Sequence, residues 1–294
     1  MHVFDPLVGV VVALCGLVIG VLSGMFGIGG GTMIVPLFNL VFGMPMISAT
    51  STSLFTIVPT ALSGAYKHIR QKTAAIRIGV IFGISGAIVS TFGALLAGQL
   101  PELVLVLLAA AVIIYSSVTM ILQARKVPAR HRSASNKAVT KAKGAGDKEV
   151  TASGADKDNG LQPHTSARLK GIRGGLPLVL ATGIIAGLMA GLIGIGGGFI
   201  IIPFSVAYLG FSMKEAAGTS LVAICIIAIP GIITHALLGQ VEWLYGLALV
   251  VGTIPGAQVG AWLVTKLPER LTRFAFGILL LIAGGLLLIS NSGV

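Results

Sequence analysis

Two stretches of the sequence have the composition of an anion-binding backbone. Gly-Ile-Gly-Gly-Gly occurs at positions 27–31 and again at 194–198, each time inside a long apolar run and before a proline, Pro36 or Pro203. Glycine disfavours a continuous helix, so each stretch predicts a helix break. A helix that begins there has unpaired first N–H groups at the positive end of its dipole. These groups would bind an anion at the following glycines: Gly29, Gly30, Gly31, Gly196, Gly197 and Gly198.

Close helix packing is the alternative interpretation, because small residues also mark helix contacts in membranes. The two glycine stretches occupy equivalent places in the two halves, and a short apolar segment follows each. This arrangement favours the anion site over close packing. A dinucleotide or P-loop site is excluded, because neither copy has the required glycine spacing and no Lys-Ser or Lys-Thr pair follows.

Hydroxyl side chains follow both glycine stretches. Thr52 and Ser53 occupy the same place in the first half of the chain as Thr219 and Ser220 in the second. Such hydroxyls can donate to an oxyanion without adding charge. They can equally bond to the preceding turn of their own helix, as membrane Ser and Thr often do. Both interpretations stay open at this point.

Four more polar side chains lie in or beside apolar segments. Gln258 would face either a partner helix or the substrate, and Asn39 has the same two alternatives. His68 and His235 recur at equivalent positions near predicted membrane borders. They would serve either as proton-coupling groups or as ordinary interfacial histidines.

Several classes of site have no support. No Asp, Glu, Lys or Arg lies deep within an apolar segment, which argues against a carboxylate proton relay or a cation pump. Cys15 and Cys225 occupy non-equivalent apolar positions and are expected to be buried small side chains. We therefore predict no metal, no cofactor and no catalytic residue.

The composition is that of an integral membrane protein. Only 10% of the 294 residues are charged and 55% are hydrophobic, whereas soluble domains carry about 25% charged residues. Segments near 20 residues can cross the hydrocarbon core of about 30 Å as helices, and the two short ones are expected to be half-helices. The predicted apolar segments are 7–25, 32–43, 48–66, 76–98, 103–122, 176–193, 199–210, 215–234, 243–265 and 271–290.

The sequence contains an internal repeat. A shift of 167 positions aligns the two halves without a gap, as in many transporters. The aligned pairs include Gly24 with Gly191, Pro36 with Pro203, Thr52 with Thr219, His68 with His235, and Pro101 with Pro268. We predict a first transmembrane repeat at 1–122, a linker at 123–175 and a second repeat at 176–294.

Basic residues predict the orientation of the two repeats. The loop after the third segment is basic in the first half and lacks Lys and Arg in the second, while the next loop shows the reverse. Cytoplasmic loops carry the excess of Lys and Arg, so the repeats are predicted to have inverted topology. One arrangement places all 20 basic residues inside, 12 of them in the linker. This arrangement has both termini outside and a flexible cytoplasmic linker. Because the excess of basic residues on the cytoplasmic side explains the net charge of +11, no nucleic-acid partner is expected.

Three motifs resemble the TauE/SafE sulfite exporter family, also called TSUP. They are the duplicated Gly-Ile-Gly-Gly-Gly-x-x-x-x-Pro, the Thr-Ser-Leu at 52–54 and 219–221, and the Pro-Gly-Ala-x-x-Gly at 255–260. The resemblance covers residues 7–122 and 176–290. The first half departs from it with Ile-Val-Ser at 88–90, and the linker is longer than the family suggests. The resemblance implies a bacterial membrane permease that moves sulfite, sulfonates or related organosulfur anions, usually outward.

Together these observations predict an all-α polytopic protein of the bacterial inner membrane. Two inverted repeats would place broken, re-entrant helices at the midplane, around one central site. The predicted function is alternating-access export of a small organosulfur or sulfur oxyanion. An anion channel and a transporter of small carboxylates are the alternatives; an intramembrane serine protease has little support, and a scaffold or sensor stays open. The expected partners are the anion and the lipid bilayer, and a homodimer stays open.

Overall fold

The computed structural model describes residues 6–126 and 175–291, and that part of the chain folds into ten helical segments without a β-strand. The second segment ends in a π-helical turn, Leu37–Val41. The all-α class is confirmed, and the helices fall where the apolar segments predict them. Their bounds are α1 Pro6–Phe26, α2 Gly31–Pro36 with its π turn, α3 Met46–Arg70, α4 Ile76–Ala97, α5 Glu102–Lys126, α6 Gly175–Ile193, α7 Gly198–Tyr208, α8 Met213–Leu237, α9 Trp243–Leu263 and α10 Glu269–Asn291.

Local sequence explains several helix ends. Ser212 and Glu215 form a capping box at the start of α8, in which Ser212 N donates to the Glu215 carboxylate at 3.0 Å. The short helices α2 and α7 each contain a proline, Pro36 or Pro203. Proline removes one N–H from the helix ladder, and the turn after Pro36 widens into the π-helical turn.

The helices pack in pairs that join the two halves of the chain. The first helix of each half lies against the fourth helix of the other half, so α1 packs on α9 and α6 packs on α4. Small residues permit this approach: a methyl group at Gly24 would collide with the Ala257 backbone, and one at Gly191 would collide with the Ser90 backbone. These two contacts are equivalent at the repeat offset. The fifth helices, α5 and α10, also pack on each other.

The central helices α3 and α8 run in opposite directions. Near the start of α3, the Thr52 hydroxyl accepts a hydrogen bond of 3.0 Å from Glu242 N, beyond the end of α8. Near the start of α8, the Thr219 hydroxyl accepts a bond of 3.0 Å from Ala75 N, beyond the end of α3. Each helix therefore begins beside the end of its repeat equivalent.

The same contacts gather basic residues at one end of the molecule. The loop between α3 and α4 lies beside the start of α8, and Lys214 there donates to the Thr265 carbonyl at 2.8 Å. The loop between α9 and α10 is thereby placed at this end as well. The following basic residues belong to these segments: Lys67, Arg70, Lys72, Arg77, Lys214, Lys266, Arg270 and Arg273.

The distribution of polarity suits a lipid environment. Large apolar side chains cover the outside of the bundle, including Ile88 (68% exposed), Phe92 (65%) and Val251 (70%). The interior holds many hydroxyl side chains, and α3 carries more of them than any other described helix. Six of the described helices, α1, α4, α5, α6, α8 and α9, are long and apolar enough to cross a membrane. An apolar surface of this extent requires lipid rather than water.

The orientation of the repeats relative to a membrane remains a prediction. The division of the chain into two repeats and a linker also remains a prediction. The structure carries α5 to Lys126 and begins α6 at Gly175. Most of the predicted linker, residues 127–174, lies outside the described residues.

The orientation predicted for the first repeat can be tested by cysteine labelling. We expect Lys72→Cys to react with a membrane-impermeant maleimide only from the cytoplasmic side, and Gln99→Cys only from the other side. Both positions are exposed and lie at opposite ends of α4. The background should carry Cys15→Ala and Cys225→Ala, since both thiols are free. Labelling of both sites from the same side would contradict the topology.

Candidate functional site at the two helix breaks

The two glycine stretches form equivalent backbone breaks. In the first, α1 ends at Phe26 and the N-cap residue Gly30 has φ 89°. In the second, α6 ends at Ile193 and the N-cap residue Gly197 has φ 71°. Residues with a Cβ atom rarely adopt this left-handed conformation, which explains why glycine occupies both positions. The predicted helix breaks are therefore present at both stretches.

The two breaks contact each other. A methyl group at Gly31 would lie 2.7 Å from the Gly194 carbonyl oxygen, and one at Gly198 would lie 2.7 Å from the Gly27 carbonyl oxygen. All residues of both stretches are buried. The structure thus brings all six predicted glycines into one joint region, enclosed by protein, where only glycine permits the approach of the two backbones.

Six backbone N–H groups of this region have no acceptor within the chain segments described. Those of Gly29, Gly30 and Gly31 donate to no backbone carbonyl, and neither do those of Gly196, Gly197 and Gly198. No side chain caps the helix that follows either break. Each set lies at the positive end of a short helix, Gly31–Val41 or Gly198–Tyr208. Chemically, this arrangement can hold an anion without any cationic side chain.

The carbonyl groups of the breaks are paired by hydroxyls from the other half of the chain. Ser53 Oγ donates to the Gly194 carbonyl at 2.9 Å, and Ser220 Oγ donates to the Gly27 carbonyl at 2.6 Å. Thr50 Oγ1 adds a bond of 3.2 Å to the Ile193 carbonyl. The structure thus places the two predicted serines beside the breaks, where their hydroxyl protons are directed to carbonyl oxygens.

The two predicted threonines lie farther along the same helices. Thr52 and Thr219 accept hydrogen bonds from the N–H groups of Glu242 and Ala75, which are the N-cap residues of α9 and α4. Their oxygens therefore satisfy the starts of neighbouring helices. This packing role depends on tertiary contacts between the halves, which sequence spacing does not reveal.

Both predicted histidines are buried and hydrogen-bonded through both ring nitrogens. His68 Nε2 lies 3.0 Å from the Gly24 carbonyl, and His235 Nε2 lies 3.4 Å from the Gly191 carbonyl. A carbonyl only accepts, so Nε2 is the donor in each ring. The Nδ1 atoms contact Thr73 Oγ1 at 2.8 Å and Gln240 Oε1 at 2.7 Å. Each histidine therefore binds a carbonyl near the end of the helix that precedes a break.

The remaining polar candidates lie away from the breaks. Gln258 is exposed on the surface of α9, so the structure does not bring it to the joint region. Asn39 Nδ2 donates to the Met44 carbonyl at 2.9 Å, which closes the loop after the π-helical turn. No group of three metal-binding side chains occurs in the described part of the chain.

Two isoleucines that sequence reasoning missed cover the breaks. Ile57 and Ile224 are fully buried and equivalent at the repeat offset. Methyl groups at Gly29 would lie 3.1 Å from Ile57 Cγ2 and 3.2 Å from Ile224 Cγ2, and Gly196 has the same two neighbours. Their recurrence in both halves was the available signal, but apolar identity alone does not distinguish a covering residue from ordinary core.

Removal of a break hydroxyl should destabilise the fold. Ser220→Ala leaves the buried Gly27 carbonyl without its partner, so we expect the free energy of unfolding to fall by about 1–3 kcal/mol. Ser51→Ala is the matched control, because its hydroxyl bonds to Ile47 O within the same helix at 2.6 Å, and the expected loss is below about 1 kcal/mol. Denaturant titration in detergent measures both. Equal losses would contradict the role of Ser220 at the break.

Glutamine at the histidine positions separates structural bonding from proton coupling. Its amide can replace the Nε2 donor of His68 or His235 but cannot titrate. We expect the double His→Gln variant to transport with the wild-type dependence on pH between about 5 and 8. Flux measurements in vesicles across that range are the test. Loss of the pH dependence with normal folding would instead assign the coupling role to these rings.

Comparison with known proteins shows the family of the chain. Residues 12–287 match the profile of the family described as Sulfite exporter TauE/SafE. Two Bacillus subtilis proteins are similar over nearly their full length. The probable membrane transporter protein YdhB is 28% identical over 92% of this chain and 96% of its own, and YunE is 26% identical over 94% and 95%.

A probable membrane transporter protein of Haemophilus influenzae is 26% identical over 92% of this chain and 94% of its own length. No solved structure matches the chain. The family match spans both halves and both breaks, and the relatives are named as transporters. The chain therefore belongs to the TauE/SafE family of membrane transporters.

Proposed function

We propose that this chain exports a small organosulfur or sulfur oxyanion, such as sulfite or a sulfonate, from the bacterial cytoplasm across the inner membrane. Its class, a multi-pass membrane transporter of the TauE/SafE type, follows from the family. The observation that carries the choice of an anion is the pair of facing breaks, whose six glycine N–H groups lack backbone acceptors. The family description, which names sulfite, supports the choice of sulfur oxyanions.

The electrostatics of the interior favour an anion held by neutral groups. None of the buried side chains in the described segments is Asp, Glu, Lys or Arg. Two helix dipoles would then supply the positive potential, and the apolar surroundings strengthen it because they do not screen it. An inside-negative membrane potential favours anion exit by about 2.3 kcal/mol per charge per 100 mV. Export then requires no coupled ion.

Alternating access is the mechanism we propose. Ile57 and Ile224 lie against both breaks on the side of α3 and α8, so movement of these side chains would open the breaks to an anion from that side. The opposite directions of α3 and α8 support two equivalent openings, one toward each side of the membrane. A transporter of this kind shows saturation and counterflow, whereas an anion channel does not.

The hydrogen bonds of the two histidine rings fit a transporter better than an enzyme. Each histidine ring has both nitrogens engaged, with Nε2 on a backbone carbonyl, so neither ring is positioned as a base for a serine. A nucleophile needs such a base within hydrogen-bonding reach. We therefore propose that the chain has no catalytic residue. That the protein forms a homodimer is a further proposal, less specific than the proposed transport function.

Transport by reconstituted protein tests the proposed function. We expect saturable efflux and counterflow of sulfite or sulfoacetate from proteoliposomes, with a short carboxylate such as acetate transported more slowly. Gly29→Ala and Gly196→Ala should reduce the flux at least about tenfold, because the added methyl group occupies the space between the break and the two isoleucines. Flux that never saturates would favour a channel.

Gly43→Ala and Gly210→Ala are the matched controls for these variants. All four positions have positive φ, between 62° and 83°, so the backbone strain is shared. No atom lies within 4 Å of a methyl group at Gly43 or Gly210. The controls should retain transport, and melting temperatures in detergent check folding. Equal flux in all four variants would contradict the assignment of the site to the breaks.

A further inference from the structure

Two buried hydroxyls beside the first break have no hydrogen-bond partner in the protein. Ser23 and Thr32 are each 0% exposed, and neither side-chain oxygen has a donor or acceptor among the described residues. Both belong to the elements that the break separates: Ser23 lies in the last turn of α1, and Thr32 is the second residue of the helix that follows. Buried hydroxyls are nearly always bonded, so these two require an explanation.

Their position points to the break itself. The β-carbon of Ser23 is 3.7 Å from the place that a methyl group on Gly30 would take. Thr32 directly follows Gly31 at the start of the helical segment Gly31–Val41. Ser23 and Thr32 therefore lie next to Gly30 and Gly31, two of the three glycines of this break whose N–H groups also lack acceptors. Unpaired donors of two kinds, hydroxyl and backbone N–H, thus occur beside the same break.

The second break lacks these hydroxyls. At the repeat offset, Ala190 stands in place of Ser23 and Phe199 stands in place of Thr32. Both breaks have positive φ at the same three glycine positions. The difference at Ser23 and Thr32 therefore lies in the side chains. At the second break the unpaired hydroxyls are replaced by the methyl group of Ala190 and the aromatic ring of Phe199, and neither group donates to an oxyanion.

We infer that the oxyanion binds asymmetrically, at the first break, with Ser23 Oγ and Thr32 Oγ1 as ligands beside the backbone N–H groups. This inference rests on the proposed function and names the side chains that complete its site. Hydroxyl donors match the oxygen atoms of a sulfite or sulfonate group, and they remain donors at every physiological pH. In the absence of the anion the same hydroxyls are buried and unsatisfied, which costs stability.

Removal of either hydroxyl should stabilise the ligand-free protein and weaken binding of the anion, and this combination provides the test. We expect Ser23→Ala and Thr32→Val each to raise the melting temperature of the ligand-free protein, because each removes an unsatisfied buried hydroxyl. Each should also raise the dissociation constant for sulfite or sulfoacetate about tenfold, since a lost hydrogen bond to a charged group has about that effect. Differential scanning calorimetry and titration calorimetry in detergent measure the two quantities.

Ser205→Ala is the matched control. Ser205 is also 0% exposed without a side-chain partner, but it lies seven residues beyond Gly198 in α7, about 10 Å along the helix. It should raise the melting temperature and leave the dissociation constant unchanged. Equal loss of affinity in all three variants would overturn the inference, because the effect would then not belong to the break.

The remaining outcomes are also decisive. Wild-type affinity in Ser23→Ala and Thr32→Val, with binding by the wild-type protein intact, overturns the asymmetric site and leaves the proposed function standing. A lower melting temperature in the ligand-free variants also overturns it, because the hydroxyls would then have partners within the protein. If the wild-type protein binds neither sulfite nor sulfoacetate, the proposed substrate class and this inference fail together.

Discussion

The structure depends on how the polar backbone of two broken helices is satisfied inside an apolar bundle. In a bilayer, every N–H and C=O group must find a partner within the protein or along a cavity. The carbonyl groups at these breaks have such partners, since Ser53 and Ser220 each bond to a carbonyl in the other half. Two buried histidines bind further carbonyls one turn earlier. The N–H groups of the six glycines, within the described segments, are left without backbone acceptors. This imbalance between donors and acceptors is what an anion would correct.

The exchange of contacts between the halves explains why the breaks persist. Each serine that stabilises a break belongs to the other repeat, and each first helix packs on the fourth helix of the other repeat. Neither half can therefore close its own break. Duplication makes the framework symmetric, while substitutions such as Ser23 against Ala190 are free to differ at the ligand. In the proposed site, symmetry in the backbone would serve folding, and asymmetry in the side chains would serve recognition.

Much of the fold was predictable because apolar segment length and glycine position are local properties. The ten segments, the two short helices and the breaks before them follow from these alone. The partners of Thr52 and Ser53 were not predictable, since neighbouring positions on one helix bind different elements: one a helix start and the other a broken backbone. Gln258 shows the same limit, because its place on the exposed face of α9 depends on how that helix is rotated in the bundle. That Ser23 and Thr32 lack partners could not be predicted either, because it depends on which tertiary contacts their hydroxyls make in the folded bundle.

The proposed binding site consists of fixed dipoles, which would impose a requirement on the transport cycle. A carboxylate or a lysine can release its ligand by a change in protonation, but a backbone N–H group at a helix start cannot lose its positive potential. Release must then come from a change in access or in geometry. Ile57 and Ile224 are placed for such a change, because they contact both breaks and belong to the two central helices that run in opposite directions. A displacement of α3 relative to α8 would move one isoleucine and leave the other in place. The covering residues, and not the binding groups, would therefore decide which side of the membrane the anion meets.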